Sequence, residues 1–190
     1  SQVAIQRFLK QAFSAVRKYA SVFEPFRTTL YENQSYMMDD VTSLSTVNEF
    51  VVSIEKYKQQ VMAFANVPRF ADVGVLLVDS TNLKAALVPS PVACLKAIQE
   101  WLPSLAAKKL QELLDEIGTI NPIIAGDPSS VEGFVKKKKI RDDAAADLET
   151  YNERQSFIRQ LIMVLEDNHW SVPDNIKALS RMLREAMPRL

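Results

Sequence analysis

The chain has 190 residues, 47% of them apolar and 24% charged, and its 23 basic and 23 acidic side chains give a formal net charge of zero. A chain of this length can bury a substantial core. The charge balance argues against a nucleic-acid or basic membrane-surface protein, whose affinity rests on excess Lys and Arg. The single cysteine, Cys94, excludes an internal disulfide framework, and four glycines in 190 residues argue against glycine-rich phosphate loops.

Helical periodicity dominates the first third of the chain. Apolar residues recur at steps of three and four over residues 5–23 and predict one amphipathic helix. A weaker pattern over residues 26–38 predicts a short helix. Thr46 and Glu49 have the spacing of a capping box, so we expect a further helix to begin there and to run to about Asn66.

The next segment changes character. Residues 73–78 read Val-Gly-Val-Leu-Leu-Val, a short β-branched run between turn formers, and predict one strand. A strand needs a partner for its backbone donors and acceptors. That partner is either a neighbouring extended stretch, such as Arg69 to Asp72 or residues near Pro89, or another chain. Asp79 or Ser80 is then expected to cap a short helix.

Helical spacing returns in the second half of the chain. Pro89-Ser90-Pro91 is expected to start a long helix, whose apolar stripe Pro103 kinks or splits and Gly118 ends. Residues 121–128 are predicted to form a loop. Ser129 and Glu132 fit a second capping box.

The last third predicts two more helices. Periodicity runs from Val131 to about Leu165, and from Ala144 it has the alternating steps of a heptad repeat, which predicts a packed seam. A final helix is expected to begin at Ser171 to Asp174 and to place Ile176, Leu179, Leu183 and Met187 on one face.

The predicted fold class is therefore mainly α, an elongated antiparallel helical bundle with one short β element near residues 73–78. We expect residues 1–190 to form a single helical module, which can be divided into two sub-bundles of about 1–87 and 88–190. No run approaches the roughly 18 apolar residues of a membrane span.

No catalytic, cofactor-binding or metal-binding residues are predicted. The signatures of P-loops, dinucleotide folds, nucleophile elbows and zinc helices do not occur. His169 is the only histidine. It could make a pH-sensitive contact, but the preferred interpretation is a partly buried loop residue beside Trp170. Cys94 lacks a basic neighbour that would lower its pKa and is interpreted as a small core residue. Adjacent carboxylates, such as Asp142-Asp143, point about 100° apart on a helix and make poor acid–base pairs.

Two sets of residues are candidate interaction sites. The first is the predicted strand edge, with Val73, Val75 and Leu77, which another subunit could extend. The second is a run of four lysines: Lys136, Lys137, Lys138 and Lys139. These could grip an acidic surface or an anionic lipid. Four consecutive lysines spread around a helix, however, and Lys138–Asp142 and Lys139–Asp143 pairs are expected to neutralise them, so a solvated helix turn is the preferred interpretation.

A family resemblance adds to this description. A helix with Ile54 and Tyr57 is followed by Asn66-Val67-Pro68, by the run from Asp72 to Asp79, and by the stretch from Leu83-Lys84 to Leu87. This order of helix, proline, Val-Gly-containing strand and Leu-Lys helix resembles the tail of dynein heavy chains, most closely the axonemal branch.

Two flanking segments extend the resemblance to roughly residues 25–190. The helix from Tyr151 to Leu165, followed by Val172-Pro173-Asp174, is similar to the helix and turn just before the heavy-chain linker. Upstream, Pro25 to Val41 fits the helical lead-in more loosely. None of these motifs is catalytic.

The resemblance implies a non-catalytic structural tail segment, just N-terminal to the linker of a very large microtubule-dependent ATPase. Such a segment would link the motor to the cargo end and transmit force. The implied partners are other dynein heavy, intermediate or light chains, with no nucleic acid, membrane, cofactor or small-molecule substrate. The implied location is the cytoskeleton, in the axoneme of cilia or flagella.

Two alternatives stay open at this point. The heptad rhythm and sparse glycines fit an independent helical-bundle adaptor equally well. A binder of membranes or microtubules through Lys136 to Lys139 would require affinity that falls steeply with salt.

Overall fold

The computed structural model describes residues 2–36, 38–127 and 130–189. In chain order its elements are α1 (Gln2–Ser21), α2 (Glu24–Ser35), α3 (Met38–Thr42), α4 (Val47–Ala65), β1 (Phe70–Val73), β2 (Leu76–Asp79), α5 (Thr81–Leu87), α6 (Pro89–Ala125), α7 (Val131–Ala146), α8 (Leu148–Asp167), α9 (Asp174–Ala186) and a 3₁₀ turn (Met187–Arg189). The prediction of a mainly α fold with one short β element is confirmed.

Contacts divide the chain into two compact units. The first contains the described residues up to Ile98 and the second contains those from Gln99 onward. Each unit has its own apolar core: Phe50, Ile54 and Phe64 are buried in the first, and Leu113, Leu161 and Leu165 in the second.

Aromatic side chains connect the first helices. The ring centroids of Tyr19 and Phe23 are 5.3 Å apart, those of Phe23 and Phe26 are 6.0 Å apart, and those of Phe26 and Phe64 are 5.2 Å apart. This series joins α1, α2 and α4 with edge-on and tilted ring contacts of favourable spacing. The N-terminal half of α1 lies outside it, since Ile5 there is 61% exposed.

Both ends of α4 have specific partners. The predicted capping box is confirmed: the Glu49 N–H donates to Thr46 Oγ1 at 3.3 Å, and the Thr46 N–H donates to the Glu49 carboxylate at 3.0 Å. The N–H groups of Ser45 and Thr46 both donate to the Glu49 carboxylate and lower its pKa. At the other end, Lys84 Nζ donates to the carbonyl of Ala65, the last residue of α4, and to that of Val67 just beyond it.

The single predicted strand over residues 73–78 is a hairpin. β1 pairs with β2 in antiparallel register, with Val73 opposite Leu76, and the turn consists of Gly74 and Val75. Gly74 has φ +69°, a conformation that glycine adopts without a side-chain clash. The prediction was wrong because the glycine ends one strand here, although the β-branched residues around it read as a continuous run. The stretch just before Val73 is the partner strand.

Helix α6 is longer than predicted and continues through Pro103 and Pro122. The predicted end at Gly118 and the predicted start of a loop at residue 121 are wrong. Gly118 does not have the positive φ of a helix-ending glycine. Farther along, the Asn121 side chain donates to the Ala186 carbonyl at 3.2 Å, so contact with the end of α9 supports the last turns of α6.

The helix predicted from Val131 to Leu165 is two helices that meet at Asp147. This residue ends α7 and precedes α8, with φ −88° and ψ −1°. The two helices differ in burial: α8 buries its apolar seam, whereas Ala144 is the one buried residue among the described residues of α7. The proposed capping box of Ser129 and Glu132 lies outside the described residues, and Ser130 Oγ accepts from the Gly133 N–H at 3.1 Å.

Helix α8 ends in a Schellman motif. The Trp170 N–H donates to the Leu165 carbonyl at 2.9 Å, and the His169 N–H donates to the Glu166 carbonyl, also at 2.9 Å. His169 occupies the left-handed position of this motif with φ +58°, where glycine is the usual residue. His169 therefore lies in the loop between two helices, as predicted, but it is exposed and not partly buried, and its backbone is strained.

Replacing His169 with glycine is expected to raise the free energy of unfolding by about 0.5–1 kcal/mol, because glycine adopts this φ without a Cβ clash. His169→Ala is the matched control, since it removes the imidazole and keeps the Cβ. Urea unfolding followed by circular dichroism measures both variants. Equal stabilisation by alanine would show that the imidazole, and not the backbone, causes the effect.

Candidate interaction surfaces

The predicted strand-edge residues do not lie on one face. Val73 pairs with Leu76 on the half-buried face of the hairpin, whereas Leu77 lies on the other face and is 63% exposed. Val75 is in the turn and is 62% exposed. Phe70, 57% exposed, shares the outer face with Leu77. Binding through Val73, Val75 and Leu77 stays a prediction. Of these three residues, Val75 and Leu77 are exposed and Val73 is half-buried.

The four lysines occupy the middle of α7. Lys136, Lys138 and Lys139 are exposed, and Lys137 Nζ donates to the Gly126 carbonyl at 2.7 Å. The expected pairs of Lys138 with Asp142 and of Lys139 with Asp143 are not formed within the described residues. Asp142 instead lies 3.5 Å from Arg141. Lys136, Lys138 and Lys139 therefore project into solvent, and binding through the four lysines stays a prediction.

Cys94 belongs to a buried polar cluster of the first unit. Its Sγ lies 3.7 Å from the Asn33 carbonyl oxygen, and the Asn33 amide donates to Gln60 Oε1 at 2.9 Å and to Ser90 Oγ at 3.2 Å. Burial raises the pKa of the Cys94 thiol, and a hydrogen bond with Tyr57 acts in the opposite direction. The cluster is thus a set of neutral groups that joins α2, α4 and α6, and Cys94 is a core residue as predicted.

The second unit contains a comparable polar contact between α6 and α8. Glu116 accepts from the Tyr151 hydroxyl at 3.2 Å and from Arg154 at 2.6 Å. Burial, together with the Glu116 carboxylate, raises the pKa of Tyr151. These hydrogen bonds hold the first half of α8 against α6.

The described residues contain no group of three or more His, Cys, Asp or Glu side chains placed to hold a metal ion. Among the same residues, no helix combines the length and the apolar character needed to span a bilayer.

A groove of about 660 Å³ lies between α8 and α9. Its floor is apolar: Ile158, Ile176 and Leu183 line it and are at most 3% exposed. Met163, which is 50% exposed, forms part of its wall. The half-buried Ile162 and Val172 also line the groove, so it keeps some solvent-accessible apolar surface above the buried floor. A concave surface with accessible apolar residues is typical of a binding site.

Cationic side chains surround this groove. Four of its lining residues are basic, namely Arg159, Lys177, Arg181 and Arg184, and one, Glu166, is acidic. Lys177 is paired with Asp174 at 3.1 Å. Within the described residues no carboxylate lies within ion-pairing distance of the three arginines. The groove thus combines an apolar floor with excess positive charge, although the whole chain is neutral.

Sequence reasoning missed this groove. The available signal was the spacing of Lys177, Arg181 and Arg184, which lie four and three residues apart and therefore share one face of α9. Arg159 and the floor residue Ile158 come from another helix, so their proximity to this face appears only in the folded structure.

The sequence was compared with protein-family models and with known proteins. No family model matches the chain. The human protein Dynein axonemal heavy chain 6 is 25% identical to it over 173 residues, which are 89% of this chain and 4% of that protein. This chain is similar to a dynein heavy chain. It spans about 4% of the length of that relative.

The similarity indicates a relation to dynein heavy chains and agrees with the resemblance noted in the sequence.

Proposed function

We propose that this chain is a non-catalytic structural segment of a dynein heavy chain tail, situated just N-terminal to the linker. The observation that carries the proposal is the similarity to Dynein axonemal heavy chain 6 across 89% of the chain. The tail position rests on the motif order from Ile54 to Leu87 and on the helix and turn from Tyr151 to Asp174.

The packing of each unit suits a mechanical role. In the first unit, buried Phe64 and the cluster around Asn33 hold helices together. In the second, Glu116 joins α6 to α8 through Tyr151 and Arg154. Such contacts resist local opening because each combines apolar burial with directed hydrogen bonds. A force-transmitting segment requires this resistance.

Partners and location follow from the same proposal. The parent chain would be a microtubule-dependent ATPase, and the segment would contact other heavy, intermediate or light chains. Its location would be the axoneme of cilia or flagella. An independent helical-bundle adaptor is the competing function, and the groove between α8 and α9 is the observation that favours it.

The test uses the natural protein that contains this sequence. An antibody against the segment should isolate a chain far longer than 190 residues, which pellets with microtubules and is released by ATP. Mass spectrometry should identify dynein subunits with it. A short free-standing protein that neither pellets with microtubules nor is isolated together with dynein subunits would overturn the proposal and support the adaptor.

A further inference from the structure

The geometry points to a docking site for an acidic amphipathic helix in the groove between α8 and α9. The occupant is a helical segment of a partner protein, with apolar residues along one face and carboxylates beside them. The inference stands on the groove itself and does not require the parent chain to be a dynein.

The apolar floor defines one part of the occupant. Ile158 from α8 and Ile176 and Leu183 from α9 close the bottom of the groove, and Met163 leaves an adaptable apolar wall. The apolar surface still accessible to solvent comes from Met163 and from the half-buried Ile162 and Val172. Leucine-sized side chains from one face of a helix would remove this surface from water, as in helix-in-groove recognition generally.

The charges define the other part. Lys177, Arg181 and Arg184 follow one another at helical spacing over about 10 Å of α9, at 1.5 Å per residue. Carboxylates at corresponding steps of four and three on a packed partner helix would face them. Arginine also binds carboxylates with two parallel hydrogen bonds, which favours Asp or Glu over other polar residues.

The state of the arginines supports an external partner. Arg159, Arg181 and Arg184 are exposed, and they make no ion pair with any carboxylate among the described residues. Glu166 is the one acidic residue that lines the groove. A nucleic acid would use this positive charge, but it would not need an apolar floor.

The probe is a fluorescein-labelled synthetic peptide of about 18 residues, with leucines at steps of three and four and glutamates flanking them. Fluorescence anisotropy with the 190-residue chain should give a Kd of about 10–100 μM at low salt, and binding should weaken as salt rises. The control peptide has lysine in place of every glutamate and should bind at least about 10-fold more weakly.

Charge reversal in the chain completes the test. The double variant Arg181→Glu/Arg184→Glu should weaken glutamate-peptide binding at least about 10-fold and should gain affinity for the lysine peptide. Arg7→Glu/Lys10→Glu on α1 is the matched control: both residues are exposed, have the same spacing of three residues, belong to the first unit and give an equal charge change, so this variant should alter binding less than about 2-fold. A higher affinity of the double variant for the lysine peptide would separate charge recognition from misfolding, because an unfolded variant would not bind either peptide specifically.

Several results would overturn the inference. Equal binding of both peptides would show that charge plays no part, and equal loss in the α1 control would show a non-specific charge effect. Binding of vesicles that contain phosphatidylserine, with no binding of the glutamate peptide, would assign the basic surface to a membrane.

Discussion

Phe64→Ala is expected to lower the free energy of unfolding by about 3–5 kcal/mol. The Phe64 side chain is 1% exposed, and its ring meets that of Phe26 edge-on at 5.2 Å. Truncation removes the transfer free energy of a buried aromatic side chain and leaves a cavity between α4 and α2. The loss should be among the largest for any single substitution in the first unit.

Met62→Ala is the matched control, because Met62 lies on the same helix two residues away and is 66% exposed. It should change the free energy of unfolding by at most about 0.5 kcal/mol. Urea titrations followed by circular dichroism at 222 nm measure both variants. Equal effects at the two positions would contradict the packing of α4 described above.

The first unit is expected to lose stability as the pH rises above about 9. Burial raises the pKa of Tyr57, Tyr36 and Cys94 above their ordinary values. In the unfolded chain these groups release protons near their ordinary pKa values, while the folded chain retains them. The unfolded state then binds fewer protons, so stability falls as the pH rises, by up to about 1.4 kcal/mol per pH unit for each group.

Tyr57→Phe isolates one of these groups. It keeps the buried ring and removes the ionisable hydroxyl, so between pH 8 and pH 11 its free energy of unfolding should fall by about 1.4 kcal/mol less than that of the unmodified chain. Tyr31→Phe removes a hydroxyl from a residue that is 62% exposed and should leave the pH dependence unchanged. Parallel curves for all three proteins would contradict the assignment to Tyr57.

Local patterns in the sequence predict much of the fold. The capping box of Thr46 and Glu49 and the apolar face of α9 are encoded by residues three and four positions apart, so periodicity reveals them. The hairpin was misread because its turn is only two residues long and includes Val75, which has strong β propensity.

Other features depend on distant parts of the chain. The extension of α6 beyond Gly118 involves the contact of Asn121 with Ala186, 65 residues away in sequence. Likewise, the division at Asp147 reflects different burial on its two sides, while the apolar periodicity continues through it. The helix propensity of the residues around Gly118 and Asp147 cannot reveal either feature, because tertiary packing decides both.

The candidate sites follow the same division. A run of lysines is conspicuous in a sequence, yet the four in α7 spread around a helix that packs little. The groove between α8 and α9 is formed by residues that are individually ordinary, such as Ile158 and Arg181. Its combination of apolar floor and basic rim arises only when two helices are placed side by side.

The burial of Cys94 has a practical consequence for chemical labelling. The side chain is 3% exposed and its raised pKa keeps the sulfur protonated at neutral pH. Because the thiolate is the reactive form, the native fold shields this sulfur from maleimides. A cysteine introduced at an exposed position of α9, such as Met182, would then be the preferred attachment point for a probe. Spectroscopic reporters can thus be placed on this fold without first removing its native thiol.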